Sequence, residues 1–129
     1  MACAAIIKDV LKNHKDGMAM PREMYTSPEI YEHDIERFWN HSWIWVGHVS
    51  QIPEPGDYFL FDYGPESIII VRDREGGIRA HLNVCRHRGS RVCVEQSGKA
   101  RAFVCPYHAW TFELSGELRA GRALSLIHI

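Results

Sequence analysis

Two short clusters in this chain are spaced for metal chemistry: Cys85-Arg86-His87 and Cys105-Pro106-Tyr107-His108, with seventeen residues between His87 and Cys105. Each cluster offers one thiolate and one imidazole from a tight loop. Two such loops facing each other can hold two metal ions with different ligands, one bound through sulfur and one through nitrogen. A two-iron, two-sulfide centre with two His in place of two Cys on one iron needs that ligand set. The candidate ligands are therefore Cys85, His87, Cys105 and His108.

The choice of ligands has an electrostatic consequence. Two ferric ions, two sulfides, two thiolates and two neutral imidazoles sum to about zero, and one electron takes the centre to about −1. An all-thiolate centre begins two charges more negative and resists reduction more strongly in a low-dielectric site. Imidazole ligation thus raises the potential. It also couples the electron to a proton, because added negative charge raises the pKa of the His ligands. A Cys2His2 zinc module would use the same four residues, although zinc pairs are more often Cys-x2–4-Cys and His-x3–5-His.

The elements that must position these loops follow from periodicity and turn residues. Ser27-Pro28-Glu29 reads as a helix start, with Ser at the N-cap, Pro at the first helical position and an acid in the first turn. Ile30, Tyr31, Ile35, Phe38 and Trp39 continue at helical spacing, predicting a helix over about 28–41 with an aromatic core-packing stripe. Residues 4–13 have weaker helical character, and Met18–Tyr25 reads as extended coil. From Trp43 the period shortens. Strands are expected at Trp43–Val49, Asp57–Phe61, Ser67–Arg72, Ile78–Asn83 and Ala102–Val104, with a hairpin of Trp110–Leu114 and Glu117–Arg119. The expected class is mainly β: an antiparallel sandwich with an N-terminal helix and the metal centre held by two loops at one end.

The chain has 129 residues, 46% hydrophobic and 24% charged, which suits one globular domain rather than two. Fifteen basic against sixteen acidic residues give no electrostatic case for nucleic acid or an anionic membrane. The apolar run Ala4–Ile7 is too short for a signal peptide or a membrane span, so a cytoplasmic location is expected. Cys3 and Cys93 make a poor disulfide pair, and Cys93 reads as a small core residue rather than a fifth ligand. The remaining histidines (14, 33, 41, 48, 81 and 128) lack ligand spacing and read as surface or structural residues.

At Pro21–Tyr25, Ser27-Pro28, Trp43–Gly47, Pro55-Gly56-Asp57-Tyr58, Asn83–Gly89 and Cys105–Trp110 the chain resembles the α subunit of Rieske non-haem iron oxygenases, the aromatic-ring-hydroxylating dioxygenases. The resemblance covers about residues 20 to 123 and implies that Cys85 and Cys105 bind one iron of a Rieske [2Fe-2S] cluster, and His87 and His108 the other. It further implies electrons arriving from a reductase or ferredoxin and passing to a mononuclear Fe(II) that only the full-length protein would hold, in a homo-oligomer. The chain by itself is then a fragment of an oxidoreductase that relays electrons without catalytic competence. A stand-alone Rieske ferredoxin is the alternative, but the 27–41 helix and the motif before it would be surplus there.

Relatives of the respiratory type carry a disulfide and a Ser hydroxyl beside the cluster. Here Tyr107 and Trp110 stand at the matching places, implying a potential toward the lower end of about −150 to +300 mV. Ala109 stands where the oxygenases usually have Gly. The expected organisation is an N-terminal extension over 1–42, a Rieske domain over 43–123 that is cut short, and a non-native tail over 124–129. That tail, Leu124-Ser-Leu-Ile-His-Ile129, is what a transposon-end sequencing adapter (CTG TCT CTT ATA CAC ATC) would encode, and is left out of the fold reasoning.

Overall fold

The computed structural model describes residues 2–121; the tail expected to be foreign lies outside them. The chain divides into two compact units, Met1–Trp45 and Val46–Ile129.

The first unit is helical. Helix α1 runs over Ala2–Lys12, a single turn α2 over Glu23–Thr26, and α3 over Pro28–Arg37. The start of α3 is built as its sequence dictates: the Ser27 hydroxyl oxygen accepts from the Ile30 amide at 3.4 Å and its proton goes to the Glu29 carboxylate at 2.6 Å. The end differs from the expected 28–41. The α-helix stops at Arg37, and a 3-10 turn follows over Trp39–His41. Ser42 causes this, because its hydroxyl donates to the Phe38 carbonyl at 2.8 Å and closes the chain on itself. Only Ile30 of the expected apolar stripe is buried; Tyr31, Phe38 and Trp39 are exposed.

The expected strand at Trp43–Val49 does not form. Trp43 is 103% exposed, and this stretch is irregular up to a 3-10 turn at Val49–Gln51. His48 ends the extended run there by capping. Its ring nitrogen accepts from the Ser50 amide at 3.3 Å, and the Gln51 side chain accepts from the His48 amide at 2.8 Å.

Among the described residues, the second unit holds seven antiparallel strands. β1 (Asp57–Tyr63), β2 (Glu66–Arg72), β3 (Ile78–Leu82) and β4 (Ser97–Lys99) form one sheet in the order β3-β2-β1-β4. β5 (Phe103–Val104), β6 (Thr111–Phe112) and β7 (Leu118–Ala120) form a second, in the order β5-β6-β7. Strand β4 is the one that sequence patterning misses. Its three residues are all exposed and polar or Gly, so no apolar alternation marks it, and it is recruited by pairing Asp57 with Lys99.

Period-2 alternation places Tyr58 and Leu60 of β1 and Ile69 and Val71 of β2 in one core cluster with Phe103 and Leu114. The Tyr58 and Phe103 rings meet edge to face at 5.7 Å. This is the antiparallel β fold expected, with both ligand loops leaving the same unit.

Asp73 fixes the turn between β2 and β3. Its buried carboxylate accepts from the amides of Glu75 at 3.0 Å and Gly77 at 2.7 Å and from Arg79 Nε at 2.7 Å. The Arg79 side chain foremost, then the Gly77 amide, hold this carboxyl below the usual carboxylate range. A folded pKa below the unfolded value of about 3.9 means stability that is full above that value. It is lost as pH falls through 3.9 and on through the lower folded value. Asp73→Asn should therefore reduce the denaturation midpoint at neutral pH and flatten its fall in acid. Midpoints in urea at neutral pH and near pH 3 check this, and an acid slope equal to the parent's would refute it.

Candidate metal centre

The first ligand loop leaves β3 and is closed by main-chain bonds. The Cys85 amide donates to the Ser90 carbonyl at 2.8 Å, and the Gly89 amide to the Cys85 carbonyl at 2.9 Å. The second loop leaves β5 with the same scheme: Cys105 amide to Trp110 carbonyl at 2.8 Å, and Ala109 amide to Cys105 carbonyl at 3.0 Å. In each, the residue four past the Cys has a left-handed backbone, φ 71° at Gly89 and 57° at Ala109. The two loops are one frame used twice. In each, the amides two and three residues past the Cys point at its sulfur, His87 and Arg88 in one loop and Tyr107 and His108 in the other.

Ala109 is the one non-glycine described residue at positive φ. An L-residue there costs about 1–2 kcal/mol that Gly does not incur, partly offset by the greater unfolded-state freedom of Gly. Ala109→Gly should therefore stabilise the unit by about 1 kcal/mol, a rise of roughly 4–8 °C in the thermal midpoint for a domain this small. A thermal melt that moves down would contradict it.

Cys85 and Cys105 are each 2% exposed, and their sulfurs lie within hydrogen-bonding reach of each other. Burial pushes the Cys85 thiol up. Burial also opposes ionisation of Cys105, but the Tyr107 amide, the Cys85 thiol, the His108 amide and the Ser90 hydroxyl together bring it below its ordinary value. Ser90 is a residue that sequence reading did not find. It belongs to the first loop yet reaches the sulfur of the second, so a hydroxyl does stand beside the pair.

The imidazoles of His87 and His108 meet at 4.8 Å between ring centres. Trp110 stacks on His87 at 4.6 Å with 6° between planes, and Tyr107 covers His108 at 3.9 Å. Nδ1 of His108 is buried and has no hydrogen-bond partner. A buried ring nitrogen in that state calls for a metal ion or a donor to meet it.

The four sequence-expected residues lie in two pairs, Cys85 beside Cys105 and His87 beside His108. Among the described residues, no three of His, Cys, Asp and Glu converge as one ion would require. Two separate donor pairs suit a cluster, in which each iron takes only two protein ligands and inorganic sulfide supplies the rest.

The Rieske [2Fe-2S] domain family matches residues 42–128. The chain belongs to that family. The cofactor of such a Rieske domain is a [2Fe-2S] cluster, and the donor set and the orphaned His108 nitrogen suit it. Over 110 residues, the chain is 40% identical to the glycine betaine monooxygenase oxygenase subunit of Chromohalobacter salexigens, covering 85% of this chain and 25% of that protein. It is also 40% identical to the chlorobenzene dioxygenase α subunit of a Cupriavidus species, over 84% of this chain and 24% of that one. The fold matches naphthalene 1,2-dioxygenase from Rhodococcus with a TM-score of 0.82 at 35% identity, covering 95% of this chain and 28% of that one. The chain spans about a quarter of the length of the curated relatives it matches.

The other residues considered take structural places. Cys93 packs against the core beside Tyr58, where burial pushes its thiol up, and not into the Rieske site. His81 Nε2 bonds the Leu114 carbonyl at 2.9 Å, and His48 is a cap. Arg91 pairs with Asp62 at 3.5 Å, while Arg86 and Arg88 are exposed on the Rieske loop. His128 and the tail lie outside the described residues, as do the side chains of residues 1–3. No described helix is long and apolar enough to cross a membrane.

Proposed function

We propose that this chain is the electron-relay part of a Rieske oxygenase α subunit, with Cys85 and Cys105 holding one iron and His87 and His108 the other. One observation carries the reading: two identically closed loops present a buried sulfur pair and an imidazole pair that has an orphaned nitrogen. When bound, the cluster supplies one-electron redox chemistry. The chain's own residues hold it, exclude water around the sulfurs and keep the histidines stacked against Trp110 and Tyr107.

The electron source would be a reductase or ferredoxin, docking where exposed Arg86 and Arg88 flank the first loop. The acceptor would be a mononuclear iron of the full-length oxygenase, reached within an oligomer. A solved quaternary ammonium Rieske monooxygenase is described in terms of inter-subunit electron transfer, which supports that arrangement. Relatives named for glycine betaine and for chlorobenzene are equally similar at 40%. Similarity in this part of the protein therefore tracks electron relay and not substrate.

The test is anaerobic purification with iron and sulfide analysis, dithionite reduction, and product analysis with O2. Two irons and two sulfides per chain are expected, with reversible reduction and no hydroxylated product. Oxygen activation needs a second iron with open positions, and among the described residues no three ligand-type side chains converge to hold one. Zinc without sulfide, or catalytic turnover by this chain alone, would overturn the reading.

A further inference from the structure

The two ligand loops share one internal frame but close differently at the neck. Behind the second loop, β5 and β6 pair through their main chains, Val104 with Thr111 and Phe103 with Phe112. Behind the first loop no strand pairing joins residue 83 to residues 92–93. One side chain stands in for it. Asn83 is 1% exposed, and its Oδ1 accepts from the amides of Val92 at 3.0 Å and Cys93 at 2.7 Å. Its Nδ2 donates to the Cys93 carbonyl at 2.7 Å and to the Ser67 hydroxyl at 3.2 Å. The Asn83 amide itself donates to the Ser67 carbonyl at 2.8 Å, which anchors the clamp to β2.

A carboxamide is chemically a peptide group carried on a side chain, so it can pair with a backbone as a neighbouring strand would. Here it uses both acceptor sites and both donors, its full capacity. No other residue type of this size has that combination. Asp lacks the donors, Leu lacks both functions, and Gln carries the same group one methylene too far. Removing it would leave the amides of Val92 and Cys93 without their side-chain partner in a half-buried neck, at the cost of partly burying unsatisfied donors.

From this geometry we infer that Asn83 is a positioning residue for the metal centre: it holds both ends of the first loop so that Cys85 and His87 stay in register with Cys105 and His108. It touches neither iron nor sulfide and acts through the loop. This rests on the reading that those four residues are the ligands. Residues that orient metal ligands from behind commonly change metal affinity by about 10–100-fold when replaced.

The experiment uses the full chain loaded with its cluster, and compares the parent, Asn83→Leu, Asn83→Asp and Val71→Ala. Val71 is fully buried in the core, so its truncation lowers stability with the clamp intact. Release of iron to a chelator is followed at temperatures equally far below each protein's thermal midpoint, together with the EPR spectrum of the reduced cluster. Both Asn83 variants should release iron about 10–100-fold faster than Val71→Ala and give a shifted or broadened spectrum, while Val71→Ala keeps the parent's spectrum. If Asn83→Leu does not fold, Asn83→Asp decides alone, since it keeps the acceptor atoms and loses the donors. Release no faster than from Val71→Ala, with an unchanged spectrum, would reduce Asn83 to ordinary structural support and overturn the inference alone. A parent chain that takes up zinc without sulfide would overturn the ligand reading, and this inference with it.

Discussion

Replacing Cys85 or Cys105 by Ser, or His108 by Ala, should yield a colourless protein with neither iron nor acid-labile sulfide and no EPR signal after reduction. The effect is all-or-none because each iron has only two protein ligands, and losing one leaves a single point of attachment. Cys93→Ala is the internal control. Its thiol packs against the core beside Tyr58, so its removal costs some packing but no ligand, and colour and sulfide content should stay at the parent level. A Cys93→Ala protein that loses its cluster while Cys85→Ser keeps it would reverse the ligand assignment.

The largest effect on the fold itself is expected at Gly56. Its φ is 91°, and a Cβ there would sit 2.4 Å from the Ala100 carbonyl oxygen, a backbone atom that cannot rotate away. The same two residues are hydrogen-bonded, Ala100 amide to Gly56 carbonyl at 2.9 Å, so the chains cannot separate without breaking that bond. Gly56→Ala therefore combines a backbone penalty of about 1–3 kcal/mol with a clash. The thermal midpoint should drop by roughly 10–20 °C, at about 4–8 °C per kcal/mol for a small domain. Gly76→Ala separates the two causes, because Gly76 has a similar φ of 87° with nothing within 4 Å of its missing Cβ. Its midpoint should fall by only the backbone share. Equal losses at the two positions would mean that the Ala100 contact has no cost of its own.

Much of this was legible in the residues before any coordinates. Ligand chemistry is local: Cys and His two or three positions apart in a loop can be read without knowing what lies across from them. The capped start of α3 and the alternation of β1 and β2 are local too. What escaped reading was non-local or unpatterned. Asn83 draws its meaning from Val92 and Cys93, nine and ten positions on, and from Ser67, sixteen back. Ser90 acts on a sulfur of the opposite loop. Strand β4 exists only because β1 offers it an edge. Aromatic spacing over Tyr31–Trp39 and the Trp43–Val49 alternation suggested burial and a strand, yet these aromatic side chains are exposed and the stretch has no strand partner. A periodic pattern states what a segment could bury, not whether a surface is there to receive it.

The shared loop frame has a consequence for how such a protein can diverge. Its hydrogen bonds engage only the main chain of Cys85, Gly89 and Ser90, and of Cys105, Ala109 and Trp110. The exposed side chains between them at Arg86, Arg88 and Pro106 take no part in closing either loop, whereas Tyr107 covers His108. Selection can therefore rewrite those three positions, altering the charge and shape presented to a redox partner, while the metal-holding geometry is inherited unchanged. Partner preference and cofactor retention are separate traits here, carried by alternate residues of the same two short segments.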